Sequence, residues 1–141
     1  MGKSDTLRDA NAHQAIHSAT YQELQDVTAL MRASLKGDVS TSPVEAAAAL
    51  IEVWEERVLA HAIVEETDLY PIFRVHGIDT KPWQRDHNWL RRWVEEARER
   101  LEQQGQVDGA LMARLEAALL LMAQHSADEE DTLRTMSWPQ D

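Results

Sequence analysis

The residues with the most chemistry in this chain are two histidine–glutamate pairs with the same spacing. His61 stands four positions before Glu65, and His125 four before Glu129. On an α-helix that spacing puts both side chains on one face, one turn apart. The surroundings repeat as well. His61-Ala-Ile-Val-Glu65-Glu66-Thr-Asp-Leu69 aligns with His125-Ser-Ala-Asp-Glu129-Glu130-Asp-Thr-Leu133, and both read H-x3-E-E-x2-L. A lone pair of this kind is usually a surface ion pair. These two sit in stripes of apolar residues, where an unpaired carboxylate costs roughly several kcal/mol. A shared cation satisfies both carboxylates and leaves the imidazoles neutral and coordinating. His17 and His87 hold matching places in two further stripes, which gives a candidate set of His17, His61, Glu65, His87, His125 and Glu129. Nitrogen and oxygen donors without sulfur suit two iron ions, with manganese or zinc as the other choices.

Four helices must bring these residues together. Turn residues break the chain at Gly37 to Pro43, at Val75 to Thr80 and at Gln104 to Asp108. Gly37 and Gly105 read as helix stops, Ser42-Pro43 and Asp108 as starts, and Asp79 or Thr80 as the cap between them. Helices are expected near 6–36, 43–74, 81–104 and 109–136, with Pro71 ending or kinking the second early and Trp138-Pro139 closing the structured part. Short connections predict a single all-α domain over 1–141, an up-down-up-down antiparallel four-helix bundle with a di-metal site in its core. The inward stripes read Leu50, Trp54, Val58, His61, Glu65, Leu69 on the second helix and His87, Leu90, Val94, Ala97, Leu101 on the third. They read Leu111, Leu115, Ala118, Met122, His125, Glu129, Leu133 on the fourth. On the first helix the stripe is His17, Tyr21, Leu24, Thr28, Met31, Leu35, with His13 one turn earlier on the same side.

Composition narrows the function. The 141 residues are 43% hydrophobic and carry a net charge of -11. That charge offers no basic surface for nucleic acid. With no cysteine, disulfides, thiolate-bound zinc, iron–sulfur clusters and cysteine nucleophiles drop out together. The absence suits a reducing cytosol, so a cytoplasmic protein is expected. No apolar run approaches the ~20 residues of a membrane span. Met1 to Thr6 matches the N-myristoylation pattern, but that pattern is short and common by chance, and an ordinary disordered N-terminus is the preferred reading.

The ordered set of motifs resembles the hemerythrin-like (HHE cation-binding) family. The resemblance rests on a histidine on the first helix, on His61 to Pro71 including Leu69-Tyr70-Pro71, on Arg85-Asp86-His87 with Leu90, and on His125 to Leu133. The stretch Leu50 to Glu56 also looks like the family's second helix. The resemblance implies an oxo- or hydroxo-bridged di-iron centre. Glu65 and Glu129 would bridge, His17 and His61 would ligate one ion, and His87 and His125 the other. It implies binding of dioxygen or a related diatomic or peroxide, in oxygen, redox or iron sensing or handling. Oxygen carriers of that family have a second histidine four residues away on the third helix. Here those positions hold Trp83 and Arg91. The missing nitrogen favours redox chemistry or sensing over clean oxygen carriage. A di-iron oxidase, peroxidase or nitric-oxide-reducing enzyme is the alternative, and a metal-stabilised helical interaction module is a third.

Several residues read more plainly. His17 is preferred over His13 as the first-helix ligand; His13 reads as a partly exposed residue one turn above the site, with a further ligand or an orienting partner as the alternative. His76 is expected in solvent, and Glu66 and Glu130 at the rim. Trp54 and Met122 read as packing, as do Trp83 and Tyr21 in preference to lining a small pocket. Trp89 and Trp93 are expected to cover a helix seam or to form a homodimer patch.

Overall fold

The computed structural model describes residues 9–136. The Met1 to Thr6 pattern and the Trp138-Pro139 stop lie outside the described residues. The described chain is all-helical, with four long helices and no strand. Helix α1 is Ala10–Lys36, α3 is Lys81–Gln104 and α4 is Gly109–Thr135; α2 is one continuous rod over 43–75.

Each end has a local cause. The Asp9 carboxylate accepts from the Asn11 and Ala12 amides and starts α1. Gly37 ends it at φ 78°, donating its N–H to the Ala33 and Ser34 carbonyls. Ser42 caps α2 through the Glu45 amide, with Pro43 in the first turn. Asp79 accepts from the Lys81 amide at the start of α3, while the Thr80 hydroxyl accepts from Arg74 instead. Asp108 starts α4 by accepting from the Leu111 amide at 2.8 Å.

Helix α2 departs from the expected regular helix. It contains two π turns, Trp54–Leu59 and Glu65–Leu69, between α-helical stretches. Pro71 does not end it, because the helix runs on to Val75, but the backbone leaves regular helix just before the proline, at Leu69 with φ -107°. The second π turn lies directly before the proline. Its wider ring opens the ladder where proline has no N–H to donate and would otherwise crowd the preceding turn.

Helix α1 packs on α2 and α4, and α3 packs on the same two. The apolar interior forms two clusters. The larger includes Leu24, Met31, Leu50, Trp54, Val58, Leu90, Val94, Leu111 and Met122. The smaller is Leu69, Tyr70, Phe73, Trp83 and Leu133, with Ala10 against it. The buried histidines and glutamates fall between them on every helix. Helix α2 passes Val58, Glu65 and Leu69; α3 passes Trp83, His87 and Leu90; α4 passes Met122, His125, Glu129 and Leu133.

The α3 and α4 stripes are buried throughout. On α1 the stripe drifts. Leu35 is 45% exposed and Ser34 is buried in its place, its hydroxyl donating to the Met31 carbonyl at 2.7 Å. Steps of three and four average less than the helical repeat, so the stripe turns away by about 20° per heptad.

Two outcomes are expected. Trp54→Ala, which empties a site 1% exposed, should lower unfolding free energy by about 3–5 kcal/mol in urea titration. Leu120→Ala, at a position 73% exposed, should change it by less than about 0.5 kcal/mol. A further outcome concerns pH. Arg100 and the Leu111 amide hold the Asp108 carboxyl down from 3.8 to about 2. A depressed carboxyl stabilises the fold above its unfolded value and stops doing so as pH falls through its folded value. Asp108→Asn keeps the cap and removes the charge. The melting-temperature gap between wild type and this variant should therefore close between about pH 4 and pH 2.

Candidate metal centre

The second π turn begins at Glu65 and sets what α2 presents to the interior. Adjacent residues on a regular helix point about 100° apart. Here Leu69 and Tyr70 are both buried, at 0% and 1% exposure. The extra residue in the turn lets α2 deliver Glu65, Leu69 and Tyr70 inward. His61, four residues before Glu65, is half-buried at the edge.

Five imidazoles and two carboxylates converge in two sets. One is His13, His17, His61 and Glu65; the other is Glu65, His87, His125 and Glu129. Donor atoms within each set lie within 4.8 Å of one another. The carboxylates divide their oxygens between the sets. Glu65 Oε2 is 3.0 Å from His13 Nε2, 3.6 Å from His17 Nε2 and 3.4 Å from His61 Nε2. Its Oε1 is 3.1 Å from His87 Nε2 and 3.8 Å from His125 Nε2. Glu129 Oε1 is 2.8 Å from His13 Nε2, and Glu129 Oε2 is 3.1 Å from His125 Nε2. Tyr70 adds a phenol to the second set. Its O–H donates to Glu129 Oε2 at 2.7 Å and lies 3.2 Å from His87 Nε2, with the ring stacked on His87.

Carboxylates behind the histidines fix their orientation. Glu66 meets His87 Nδ1 at 2.7 Å, Asp86 meets His125 Nδ1 at 3.0 Å, and Glu130 meets His17 Nδ1 at 3.3 Å. Each contact holds a proton on Nδ1, so that in the neutral imidazole the Nε2 lone pair would face inward. Arg91 holds Glu66 in turn, at 2.7 Å.

Protons and metal ions compete for this cluster. Burial alone would lower His13, but the carboxylates of Glu129 and Glu65 raise it to about 9. Burial also opposes the charged form of His125, and Asp86, Glu129 and Glu65 outweigh it. Burial pushes the Glu65 carboxyl up, while Glu129 and the imidazoles of His125, His13 and His17 bring it well below the ordinary value. Burial, then the charges of Glu129 and Glu65, push the Tyr70 phenol far up, which keeps it a donor. Without a cation the charge balance falls to imidazolium protons. A bound ion would displace them.

The donor spacing suits a shared ion as well as a proton network. Two donors on one first-row ion, at about 2.1 Å and at right angles, stand about 3.0 Å apart. His13 Nε2 and His17 Nε2 are 3.0 Å apart, and His87 Nε2 and His125 Nε2 are 3.2 Å apart. A pair of facing nitrogens can share only one proton. Among the described residues, the buried His61 Nε2 makes no hydrogen bond, and Glu129 Oε1 faces the His13 nitrogen at 2.8 Å. This buried cluster could hold a metal ion; the chemistry of its donors is nitrogen and oxygen, without sulfur.

A pocket of about 350 Å3, counted out to its open mouth, reaches the cluster from the side of His17, His61, Glu65, His87 and His125. Val58, Ala62, Leu90 and Met122 wall it; Thr20, Arg57 and Ser126 complete its lining.

All six residues singled out by sequence come together here, and His13 joins them as a full member, 0% exposed. Glu66 and Glu130 are rim residues with a task, since each orients a histidine. Sequence reasoning gave no role to Tyr70 or Asp86. Their signals were a tyrosine beside a buried leucine and an acid beside His87. Trp83 does not line the pocket and packs in the cluster with Tyr70 and Phe73. His76 is exposed, as expected. Met122, expected as packing, both packs and walls the pocket.

Glu66→Gln and Asp86→Asn should each weaken uptake of a titrated divalent ion by about 10- to 100-fold, read by competition with a chromophoric chelator. The fold should persist in both, since neither side chain is fully buried.

Comparison with known proteins adds no assignment: no family model, no curated protein and no solved structure matches this chain.

Proposed function

We propose that this chain is a hemerythrin-like non-haem di-iron protein, an up-down-up-down bundle that binds dioxygen or a related small oxidant in oxygen, redox or iron sensing or handling. One observation carries the reading. Glu65 and Glu129 each turn one oxygen toward His13 and the other toward His87 or His125. Two carboxylates shared in this way between two nitrogen sets suit a pair of ions better than one. The reversed order of the two apolar clusters along successive helices supports the up-down arrangement.

His13, His17 and His61 would hold one iron, and His87 and His125 the other, with Glu65 and Glu129 between them. Bound iron would supply electron transfer and an open position for a small oxidant. The chain's own residues do the rest. Glu66, Asp86 and Glu130 fix imidazole orientation and strengthen the donors. Val58, Ala62, Leu90 and Met122 limit water along the pocket wall. Tyr70 holds a proton at its hydroxyl, 2.7 Å from Glu129. His13 supplies from α1 a nitrogen that Trp83 and Arg91 do not supply from α3.

A second reading, turnover of peroxide or nitric oxide, draws on Tyr70. Its hydroxyl is a proton donor inside the cluster.

Protein purified without chelators should contain about two irons per chain, with near-ultraviolet absorption from oxo-bridged ferric iron. Metal-free protein that stays equally stable when Glu65 and Glu129 become glutamine would defeat the proposal. Tyr70→Phe keeps the ring on His87 and removes the proton donor. If turnover is the function, the variant should reduce peroxide about 10- to 100-fold more slowly at unchanged iron content. An equal rate assigns the centre to binding or sensing.

A further inference from the structure

The pocket above the donors has one charged group that is not a proposed ligand. Of its lining residues, Arg57 alone carries a charge outside the His/Glu set. Arg57 comes from the first π turn of α2, Trp54–Leu59, one residue before the pocket wall at Val58. Arg57 lines the pocket and its side chain is 62% exposed, so the residue stands on the pocket's solvent side and not in the packed interior. Its ion-pair contact is Glu23 Oε2 of α1 at 3.6 Å, with Glu23 itself 40% exposed. A pair so long and so wet holds an arginine loosely.

A cation at that place matters because of everything around it. The chain carries a net charge of -11, and its field opposes the approach of any anion. Dioxygen and nitric oxide are neutral, and a guanidinium there gives them no attraction. A small anion is different. The net charge repels it, and among the residues that line this pocket Arg57 is the one group whose charge attracts it; a metal pair below would offer it a coordination position.

We propose that Arg57 is the residue that admits small monovalent anions, of the superoxide or nitrite class, to this pocket, and that Glu23 is the group that restrains Arg57. This rests on the di-iron reading for the pocket floor. Arg57 touches none of the proposed ligands in the structure, so its role is selection and steering. Glu23 competes with the incoming anion for the same guanidinium. The two residues therefore have opposite effects: removing Arg57 slows an anion, and removing the Glu23 charge speeds it.

The test uses the full-length iron-loaded protein, with azide as the anionic probe and nitric oxide as the neutral one. Iron content is measured first. Association rates follow from stopped-flow absorbance at about 10 mM and about 500 mM ionic strength, where the screening lengths are about 30 Å and about 4 Å. At low ionic strength Arg57→Gln should slow azide association by about 3- to 10-fold. Arg57→Lys should keep most of the rate, and Glu23→Gln should raise it by about 2-fold or more. These differences should shrink at high ionic strength, and nitric oxide should bind all four proteins alike. Unchanged azide rates in Arg57→Gln overturn the proposal. Equal slowing of azide and nitric oxide also overturns it, because Arg57 would then be shaping the mouth and not reading charge. A wild-type protein that takes up no iron overturns the di-iron reading and this proposal with it. Normal iron uptake with charge-blind azide binding overturns this proposal alone.

Discussion

Glu65 and Glu129 stand 2% and 0% exposed inside an apolar bundle, on helices α2 and α4, and both must be neutralised where they are. A buried carboxylate without compensation pulls a fold apart or takes up a proton. Here the compensation comes from five imidazoles on all four helices. That requirement ties α1, α2, α3 and α4 to one level of the bundle. It also separates the interior into a large apolar cluster on one side and a smaller aromatic one on the other.

The helices around this layer carry features that a simple bundle does not need. A π turn begins at Glu65 and turns Tyr70 inward beside Leu69. Three carboxylates stand behind three of the histidines. Each feature orients a donor atom. Orientation matters more for a metal than for a hydrogen-bonded network, since lone pairs must meet at one point. One of the two π turns of α2 begins at a donor, Glu65, while the other, Trp54–Leu59, lies beside the large apolar cluster.

The two halves of the cluster differ chemically. One has three imidazoles, including His13, whose Nδ1 lacks a partner. The other has two imidazoles, both backed by carboxylates, and the Tyr70 phenol. The second half is richer in oxygen and in negative charge, which suits the harder, more highly charged state of an ion. The pocket opens over both halves, and Tyr70 is not among the residues that line it. A molecule arriving there meets imidazoles and Glu65.

The four helices, their breaks and most of the inward stripes could be read from sequence, because caps, glycines and the three-and-four spacing are local signals. The pairs His61/Glu65 and His125/Glu129 were legible for the same reason, since each lies on one turn of one helix. His13 could not be placed. Only the packing of α1 against α2 and α4 decides that its ring meets Glu65 and Glu129. Tyr70 and the continuation of α2 past Pro71 depended on a π turn, which adds a residue that a regular repeat does not foresee. The pairings of Glu66 with His87, Asp86 with His125 and Glu130 with His17 likewise belong to tertiary structure. Periodicity sets which face of a helix is buried, whereas the side chain it meets there depends on how neighbouring helices are rotated and aligned.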